Sequence, residues 1–189
     1  MANVPDLSAS CLAALGLVAI RPASGYELVA FADRSIAYFW SIPRSQLYRE
    51  LARLEGLGLI AGEHVAQKSA PDKRVYEVTD AGRAVLVAWV ESPVVPAARS
   101  KNGFLLKMFM ARHARPEAVE PLLHLYRESV ALELADLQAI VDQLADRPRA
   151  AFGRLTARWG VLHAQASLAW IDEAEAVVAG QPDTATGRR

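Results

Sequence analysis

The stretch from Pro43 to Ile60, PRSQLYRELARLEGLGLI, constrains the fold of this chain more than any other segment. Its leucines recur every three or four residues, the spacing of one face of an α-helix, at Leu47, Leu51, Leu54 and Leu57. Three arginines lie off that stripe, at Arg44, Arg49 and Arg53. Gly56 and Gly58 stand near the end, as expected where a chain leaves a helix. The sequence therefore predicts a helix over about 43–58, with one apolar face and one face of Arg, Gln, Ser and Tyr.

Two short segments after this helix are rich in residues that favour β-structure. Residues 62–68 (GEHVAQK) and 74–79 (RVYEVT) contain Val, Tyr and Thr at close spacing. The sequence between them, SAPDK, includes Pro71 and Asp72, which are typical of turns. We therefore predict a β-hairpin directly after the helix, with basic residues near its tip at Lys68, Lys73 and Arg74.

Helical segments flank this helix and hairpin. Residues 7–20 are almost wholly apolar and predict a buried helix that is capped by Ser8 or Ser10. Two more helices are predicted, over about 24–34 and, with Thr79 or Asp80 as the cap, over about 80–91. The resulting order α-α-α-β-β-α is that of a winged helix-turn-helix with a two-stranded wing. We predict a DNA-binding domain of this kind over residues 1–92.

In a winged helix-turn-helix the third helix enters the DNA major groove and the wing contacts phosphate. The first turns of the predicted third helix carry side chains that read base edges or hold phosphate, namely Arg44, Ser45, Gln46, Tyr48 and Arg49. The wing would add Lys68, Lys73 and Arg74. The alternative is an ordinary solvated helix face, since amphipathic helices occur in most globular domains.

Composition limits the class of protein. The chain is 52% hydrophobic and 22% charged, as in soluble globular proteins, and no apolar run reaches the roughly 18 residues of a membrane span. The N-terminus lacks a basic region followed by a long apolar stretch, so we predict no signal peptide and a cytoplasmic location. The single cysteine, Cys11, is expected to pack as a small hydrophobe. No His/Cys cluster has metal-site spacing, and no cofactor is predicted.

The charge balance gives DNA binding little support. The chain has 21 Lys and Arg against 21 Asp and Glu, and residues 1–92 have nine against ten. Binding to DNA would therefore depend on local clusters of cations and not on bulk charge. A dimer would present each cluster twice.

The C-terminal half is predicted to be helical. A stretch with two prolines, 93–99, predicts a linker, and residues 181–189 predict a disordered tail. Between them, helices are predicted over about 100–113, 116–146 and 148–179. The break between the two long helices is short, so they should fold back antiparallel as a coiled-coil-like dimerisation domain over residues 100–180.

Each long helix carries an apolar seam with coiled-coil-like spacing. The seam of the first comprises Leu123, Tyr126, Val130, Leu134, Leu137, Val141 and Leu144. That of the second comprises Phe152, Leu155, Trp159, Leu162, Ala166 and Trp170. Two such helices cannot bury both of their faces alone, and the simplest partner is a second copy, because most soluble oligomers are twofold homodimers. A twofold dimer would match a palindromic operator in double-stranded DNA. The alternative is that the hairpin packs only on its own winged helix.

Three motifs stand out along the chain: SGYEL at 24–28, SQLYRELARLEGLGLI at 45–60 and DKRVYEVTDAGR at 72–83. With the helical C-terminal half, they resemble the PadR family of transcriptional regulators, and the long C-terminal half is similar to the AphA-like subgroup. The resemblance implies a dimeric DNA-binding regulator, most often a repressor, that in many members responds to an aromatic small molecule. By position it implies that Tyr48 is the recognition-helix tyrosine and that Lys73 and Arg74 form a basic wing.

Four tryptophans are candidates for the effector pocket that this resemblance implies. Trp40, Trp89, Trp159 and Trp170 could line an apolar site at the dimer interface, and the alternative for each is plain core packing. No phosphate-binding loop, catalytic triad or metal motif is present, so no enzymatic activity is predicted. The alternative function is a winged-helix protein–protein interaction module without DNA binding, for which the neutral charge would be natural.

Overall fold

The structure, a computed structural model, describes residues 7–65, 73–94 and 102–180. These residues form two compact units that divide near residue 97. The fold is mainly helical with one small sheet, as predicted. Within the described residues, no helix combines the length and apolar character that a membrane crossing requires.

The core of the N-terminal unit is built around α1 (Ala9–Ile20). Ser8 caps this helix, as predicted, because its Oγ accepts a hydrogen bond from the backbone N–H of Cys11 at 3.2 Å. Cys11, Leu15 and Val18 are buried among the other elements. Burial, followed by a hydrogen bond with Glu50, raises the pKa of the Cys11 thiol to about 11. The thiol therefore packs as a small hydrophobe.

A short strand that the sequence did not reveal, β1 (Ala23–Ser24), precedes α2 (Gly25–Ser35). It pairs antiparallel with β3 (Lys73–Val78), which also pairs with β2 (Ile60–Val65). Within the described residues the sheet is therefore three-stranded, in the order β1-β3-β2, and β2 and β3 are the predicted wing. β1 positions the start of α2, where Ser24 and Glu27 form a capping box.

One apolar stripe holds the third helix, α3 (Arg44–Gly56), against the core. Leu47, Leu51 and Leu54 are buried, as predicted. Burial of each leucine side chain contributes roughly 1.5–3 kcal/mol relative to leaving it in water. This stripe therefore fixes which face of α3 points outward.

The chain leaves α3 through a left-handed turn at Gly58, whose φ is 69°. Leu59 and Ile60 then enter the core. Leu57 was predicted to belong to the apolar stripe of the helix, and it is instead 46% exposed. The prediction was wrong because the helix ends before Leu57 and the stripe does not continue through the turn.

The wing leads back into the core through α4 (Asp80–Val90). β2 and β3 pair from Ile60 opposite Val78 to Val65 opposite Lys73. The predicted turn and Lys68 lie outside the described residues. Thr79 caps α4, since its Oγ1 accepts a hydrogen bond from the backbone N–H of Gly82 at 3.1 Å.

The C-terminal unit is a hairpin of two long helices. α5 (Gly103–Phe109) and a 3₁₀ turn (Ala111–His113) precede α6 (Pro116–Gln143), and a second 3₁₀ turn (Pro148–Ala150) precedes α7 (Ala151–Ala179). Arg127 of α6 pairs with Asp172 and Glu175 of α7, whereas Leu144 packs over Gly153 near the connection. The two helices are therefore antiparallel, as predicted. Most of the predicted linker and the predicted tail lie outside the described residues.

Small residues of α7 face α6. The predicted seam of α6 is buried at Leu123, Val130, Leu137 and Val141. The face of α7 that packs in the hairpin comprises Ala157, Gly160, Val161, Ala164 and Ile171. This face differs from the predicted apolar seam of α7, for which the sequence gave no partner helix.

Most of the predicted seam of α7 faces outward, whereas Trp170 at its end packs partly against the core of the hairpin. Each residue of a helix turns by about 100°, so this seam and the buried small residues lie on opposite sides of α7. Four of its side chains form what we call the outer stripe, and their exposed fractions are 83% for Phe152, 64% for Leu155, 57% for Trp159 and 51% for Leu162. The C-terminal unit therefore carries an apolar face that its own two long helices leave uncovered.

Candidate nucleic-acid interface

The start of α3 turns polar and basic side chains away from the core. Arg44, Ser45, Tyr48 and Arg49 are exposed, and Gln46 is half-buried. Because residues four apart share a helix face, Arg44 lies beside Tyr48 and Ser45 beside Arg49. Arg49 has no hydrogen bond or ion pair with another described residue. The side chains that the sequence singled out thus lie together on the first turns of α3.

The N-terminus of α3 is open to an anion. Ser8, Ser24 and Thr79 cap α1, α2 and α4 through their side-chain oxygens. α3 instead begins after Pro43 without a side-chain cap, and its first turn carries no acidic residue. Its first backbone N–H groups and the positive end of its dipole can therefore receive a phosphate.

Arg44 lies between two tyrosine rings. Its Cζ is 5.9 Å from the ring centre of Tyr26 and 5.8 Å from that of Tyr48, within the range of a cation–π contact. The ring of Tyr48 packs on Gly25, where an added Cβ would lie 2.5 Å from Tyr48 Cε1. Gly25 therefore leaves the room that Tyr48 occupies. The sequence had not singled out Tyr26, although it belongs to the SGYEL motif.

Lys73, at the loop end of β3, pairs with a carboxylate of α2. Its Nζ lies 3.2 Å from Glu27 Oε1. Hydrogen bonds from the Ser24 hydroxyl and backbone N–H, together with Lys73, lower the pKa of Glu27 to about 2. More than a third of each side chain is exposed, so solvent screens this ion pair and a phosphate can compete for Lys73.

Arg74 turns back toward the end of α3. Its Nη2 donates a hydrogen bond to Glu55 Oε1 at 2.6 Å, and its Nη1 lies 2.8 Å from His64 Nε2. The hydrogen bond to Glu55 raises the pKa of Arg74. The sequence predicted a guanidinium that is available for phosphate, and the structure places it in an intramolecular ion pair. No sequence pattern indicates Glu55 as the partner of Arg74. The Ser-x-x-Glu spacing, by contrast, could have indicated Glu27 as a capping residue.

The four tryptophans are divided between the two units. Trp40 and Trp89 belong to the N-terminal unit, and Trp159 and Trp170 to the C-terminal unit. Trp159 stacks on His163, with the ring centroids 5.2 Å apart. An open cleft of about 750 Å³ between α6 and α7 has carboxylates of Glu117, Glu120 and Glu175 in its described lining, and no tryptophan. The effector pocket therefore remains a prediction of the sequence.

These elements define a class: a winged helix-turn-helix unit with an exposed basic helix face, followed by an α-helical hairpin. The model of the transcriptional regulator PadR-like family matches residues 14–88, and that of the virulence activator alpha C-terminal domain matches residues 100–179. The chain belongs to the PadR-like family of transcriptional regulators, as the sequence motifs had indicated.

Individual relatives span most of the chain. A probable transcriptional regulator of Mycobacterium tuberculosis, Rv1176c, is 30% identical over 81% of this chain and 88% of its own. The negative transcriptional regulator PadR of Bacillus subtilis is 27% identical over 70% of this chain and 72% of its own.

Solved structures share the fold. The structure of Bacillus subtilis PadR in complex with operator DNA has a TM-score of 0.78 at 24% identity, over 89% of this chain and 98% of that chain. The same protein with p-coumaric acid has a TM-score of 0.71 at 22% identity, over 89% and 97%. The Vibrio cholerae virulence activator AphA has a TM-score of 0.66 at 26% identity, over 90% and 98%.

Proposed function

We propose that this chain is a cytoplasmic, homodimeric transcriptional regulator that binds double-stranded operator DNA through the exposed face of α3. The observation that carries the proposal is the division of α3 into two faces. Leu47, Leu51 and Leu54 lock one face into the core, so the other must point outward. That outward face holds Arg44 and Arg49 at the open N-terminus of the helix.

The side chains on this face suit a major groove. Arg44 can donate two hydrogen bonds to guanine, and Gln46 can pair with adenine. Ser45, Tyr48 and Arg49 can hold phosphate, as can the N-terminal backbone N–H groups of α3. Two tyrosine rings hold Arg44 in place, which reduces the conformational entropy that binding would cost. The charge of residues 1–92 does not favour DNA, so affinity rests on this local cluster.

The outer stripe of α7 supports the homodimer. Phe152, Leu155, Trp159 and Leu162 are each more than half exposed, and together they form a continuous apolar face along the first three turns of α7. A second copy that offers the same stripe would cover it by twofold symmetry. The two α3 helices of such a dimer would then meet the two halves of a palindromic operator.

Repression and an aromatic effector complete the proposal. The Bacillus subtilis relative is a negative regulator, and its structure has been solved both with operator DNA and with p-coumaric acid. By analogy, occupancy of the operator would block transcription, and an aromatic ligand would release the protein from DNA. Trp159, which lies on the outer stripe and hence at the proposed dimer interface, is the candidate to meet that ligand.

Titration calorimetry with p-coumaric acid is expected to show binding to the wild-type dimer, because exposed tryptophan rings offer an apolar, stacking surface to a phenolic ring. The Trp159→Phe variant should bind several-fold more weakly if this ring lines the site. Bound DNA should be released over the same concentration range. An absence of both heat and release, up to millimolar ligand, would show that a phenolic acid is not the effector.

The Arg49→Ala variant tests the DNA-binding proposal itself. Arg49 is exposed and has no ion pair with another described residue, so its removal should leave the fold intact. We expect the affinity for the duplex upstream of the protein's own gene to fall roughly tenfold, about 1.4 kcal/mol. The slope of log K against log salt should fall by about 0.9, the value for one lost phosphate contact. Fluorescence anisotropy across a salt series measures both quantities.

Arg83→Ala is the matched control, because it removes the same charge from an exposed position on α4. Its affinity for the duplex and its salt slope should change only by the small amount expected for the loss of one distant charge. Equal affinities of the wild-type and Arg49→Ala proteins at every salt concentration would remove α3 from the interface. A wild-type protein that shifts no duplex at low salt would favour an interaction module without DNA binding.

A further inference from the structure

The guanidinium of Arg74 lies in a socket that three elements build. The socket is formed by Glu55 in the last turn of α3 and by Gly62 and His64 of β2. Arg74 lies opposite His64 on β3. Nη2 of Arg74 is 2.6 Å from Glu55 Oε1, and Nη1 is 2.8 Å from His64 Nε2. The Nε of Arg74 is buried and has no hydrogen-bond partner among the described residues. We call Glu55, Gly62 and His64 the Arg74 socket.

Gly62 provides the space for this guanidinium. A Cβ added at Gly62 would lie 3.2 Å from Arg74 Cζ and 2.5 Å from Glu55 Oε1, and closer still to Arg74 Nε. Gly62 does not have a positive φ, so the backbone there needs no glycine for its conformation. Its N–H also donates a hydrogen bond to Glu55 Oε1 at 2.9 Å. The same carboxylate oxygen therefore ties both wing strands to α3.

We propose that Arg74 is a positioning residue, which fixes the wing relative to α3, and is not a phosphate contact. This inference rests on the proposed DNA binding, because it concerns how the two DNA-facing elements are held together. A carboxylate at 2.6 Å neutralises the guanidinium at short range, and the hydrogen bonds aim it into the hairpin. Arg49, exposed and without an ion pair among the described residues, has the opposite character.

The two roles of Arg74 predict opposite signs for one substitution. If phosphate were its target, Glu55 would compete with DNA, and Glu55→Gln would strengthen binding. If Arg74 positions the wing, Glu55→Gln weakens binding, because the tie between α3 and the hairpin is lost. Arg74→Lys separates the roles again. Lysine keeps the charge that a phosphate requires, but it lacks the planar fork that reaches Glu55 and His64 together.

The experiment measures anisotropy of the labelled duplex upstream of the protein's own gene, across a salt series, for Glu55→Gln, Arg74→Lys, Gly62→Ala and the Glu55→Gln/Arg74→Lys double variant. We expect each single variant to bind about tenfold more weakly with an unchanged salt slope. We expect the double variant to bind no more weakly than either of its parents. Gly62→Ala is informative because it alters no charge. Gly56→Ala is its control, since an added Cβ there meets nothing within 4 Å.

Far-UV circular dichroism and thermal unfolding establish that each variant is folded before its affinity is compared. Tighter binding by Glu55→Gln, or a near-wild-type affinity of Arg74→Lys, would overturn the positioning role. Both outcomes would leave the DNA-binding proposal standing, with Arg74 returned to the phosphate contacts. A folded wild-type protein that binds no duplex would overturn both.

Discussion

Replacing Leu155 with glutamate is expected to separate the proposed homodimer into monomers and to weaken operator binding by roughly 100-fold or more. Leu155 lies in the middle of the outer stripe of α7 and is 64% exposed in the single chain. In a twofold dimer the stripe meets its own copy, so the substitution would bring two carboxylates into one apolar interface. Burying an unpaired carboxylate costs several kcal/mol. The exposed side chain tolerates glutamate in the monomer, so the fold should persist.

The loss of DNA affinity follows from the loss of the second α3. A dimer binds two half-sites with one association event, because the first contact holds the second α3 at high local concentration. Light scattering after size-exclusion chromatography gives the mass, and anisotropy gives the affinity. Gln165→Glu adds the same charge to an exposed position of α7 outside the outer stripe, and it should remain dimeric. A Leu155→Glu protein that stays dimeric at micromolar concentration would place the interface elsewhere.

The two faces of α7 show what sequence periodicity can and cannot establish. The seam from Phe152 to Trp170 was visible because its side chains are large and apolar. The face that packs on α6 was not, because alanine and glycine give little hydrophobic signal at Ala157, Gly160 and Ala164. Small residues nevertheless let two helices approach closely, which suits them to the inner face of a hairpin. The sequence indicated that the two long helices pack on each other and on a second copy. It did not indicate which face of α7 makes each contact.

The N-terminal unit was predictable wherever the signal was local. The leucine stripe of α3 and the caps at Ser8 and Thr79 follow from spacing and residue type, and the structure confirms them. Leu57 was placed wrongly because the end of a helix depends on the turn that follows it. β1 was missed because a strand of two residues has no periodicity to detect.

The ion pairs of the wing were beyond prediction for a different reason. Lys73 and Glu27 are far apart in sequence, and so are Arg74 and Glu55, so only the folded register brings each pair together. A basic residue near a hairpin tip therefore indicates a candidate phosphate contact. It does not indicate whether that residue forms an ion pair with a carboxylate of the same domain. Such pairs decide which cations of a nearly neutral domain can meet DNA.

Gly82→Ala is expected to destabilise the winged helix-turn-helix unit by about 3 kcal/mol or more. Gly82 lies in the first turn of α4 and is buried. In most helices, alanine is more stable than glycine by up to about 1 kcal/mol. Here an added Cβ would overlap the backbone carbonyl oxygen of Leu59, and it would lie 3.0 Å from Val78 Cγ2. The expected sign is therefore the reverse of the helix propensity.

The neighbours of Gly82 cannot move aside cheaply. The carbonyl oxygen of Leu59 accepts a hydrogen bond from the backbone N–H of Thr79 at 3.1 Å, so it is fixed to the residue that caps α4. Relief of the overlap would require α4 to move away from the start of β2, which would open the core beside Ile60. A flexible side chain could yield, whereas these backbone atoms belong to the fold itself.

Urea denaturation followed by circular dichroism measures the effect, with Gly56→Ala as the matched control. Gly56 ends α3, and a Cβ there meets no atom within 4 Å, so its free energy of unfolding should stay within about 1 kcal/mol of the wild type. Equal denaturation midpoints for wild type and Gly82→Ala would mean that α4 can shift without loss. In that case, the close contact between α4 and the start of β2 would not be required to position α3 and the wing for DNA binding.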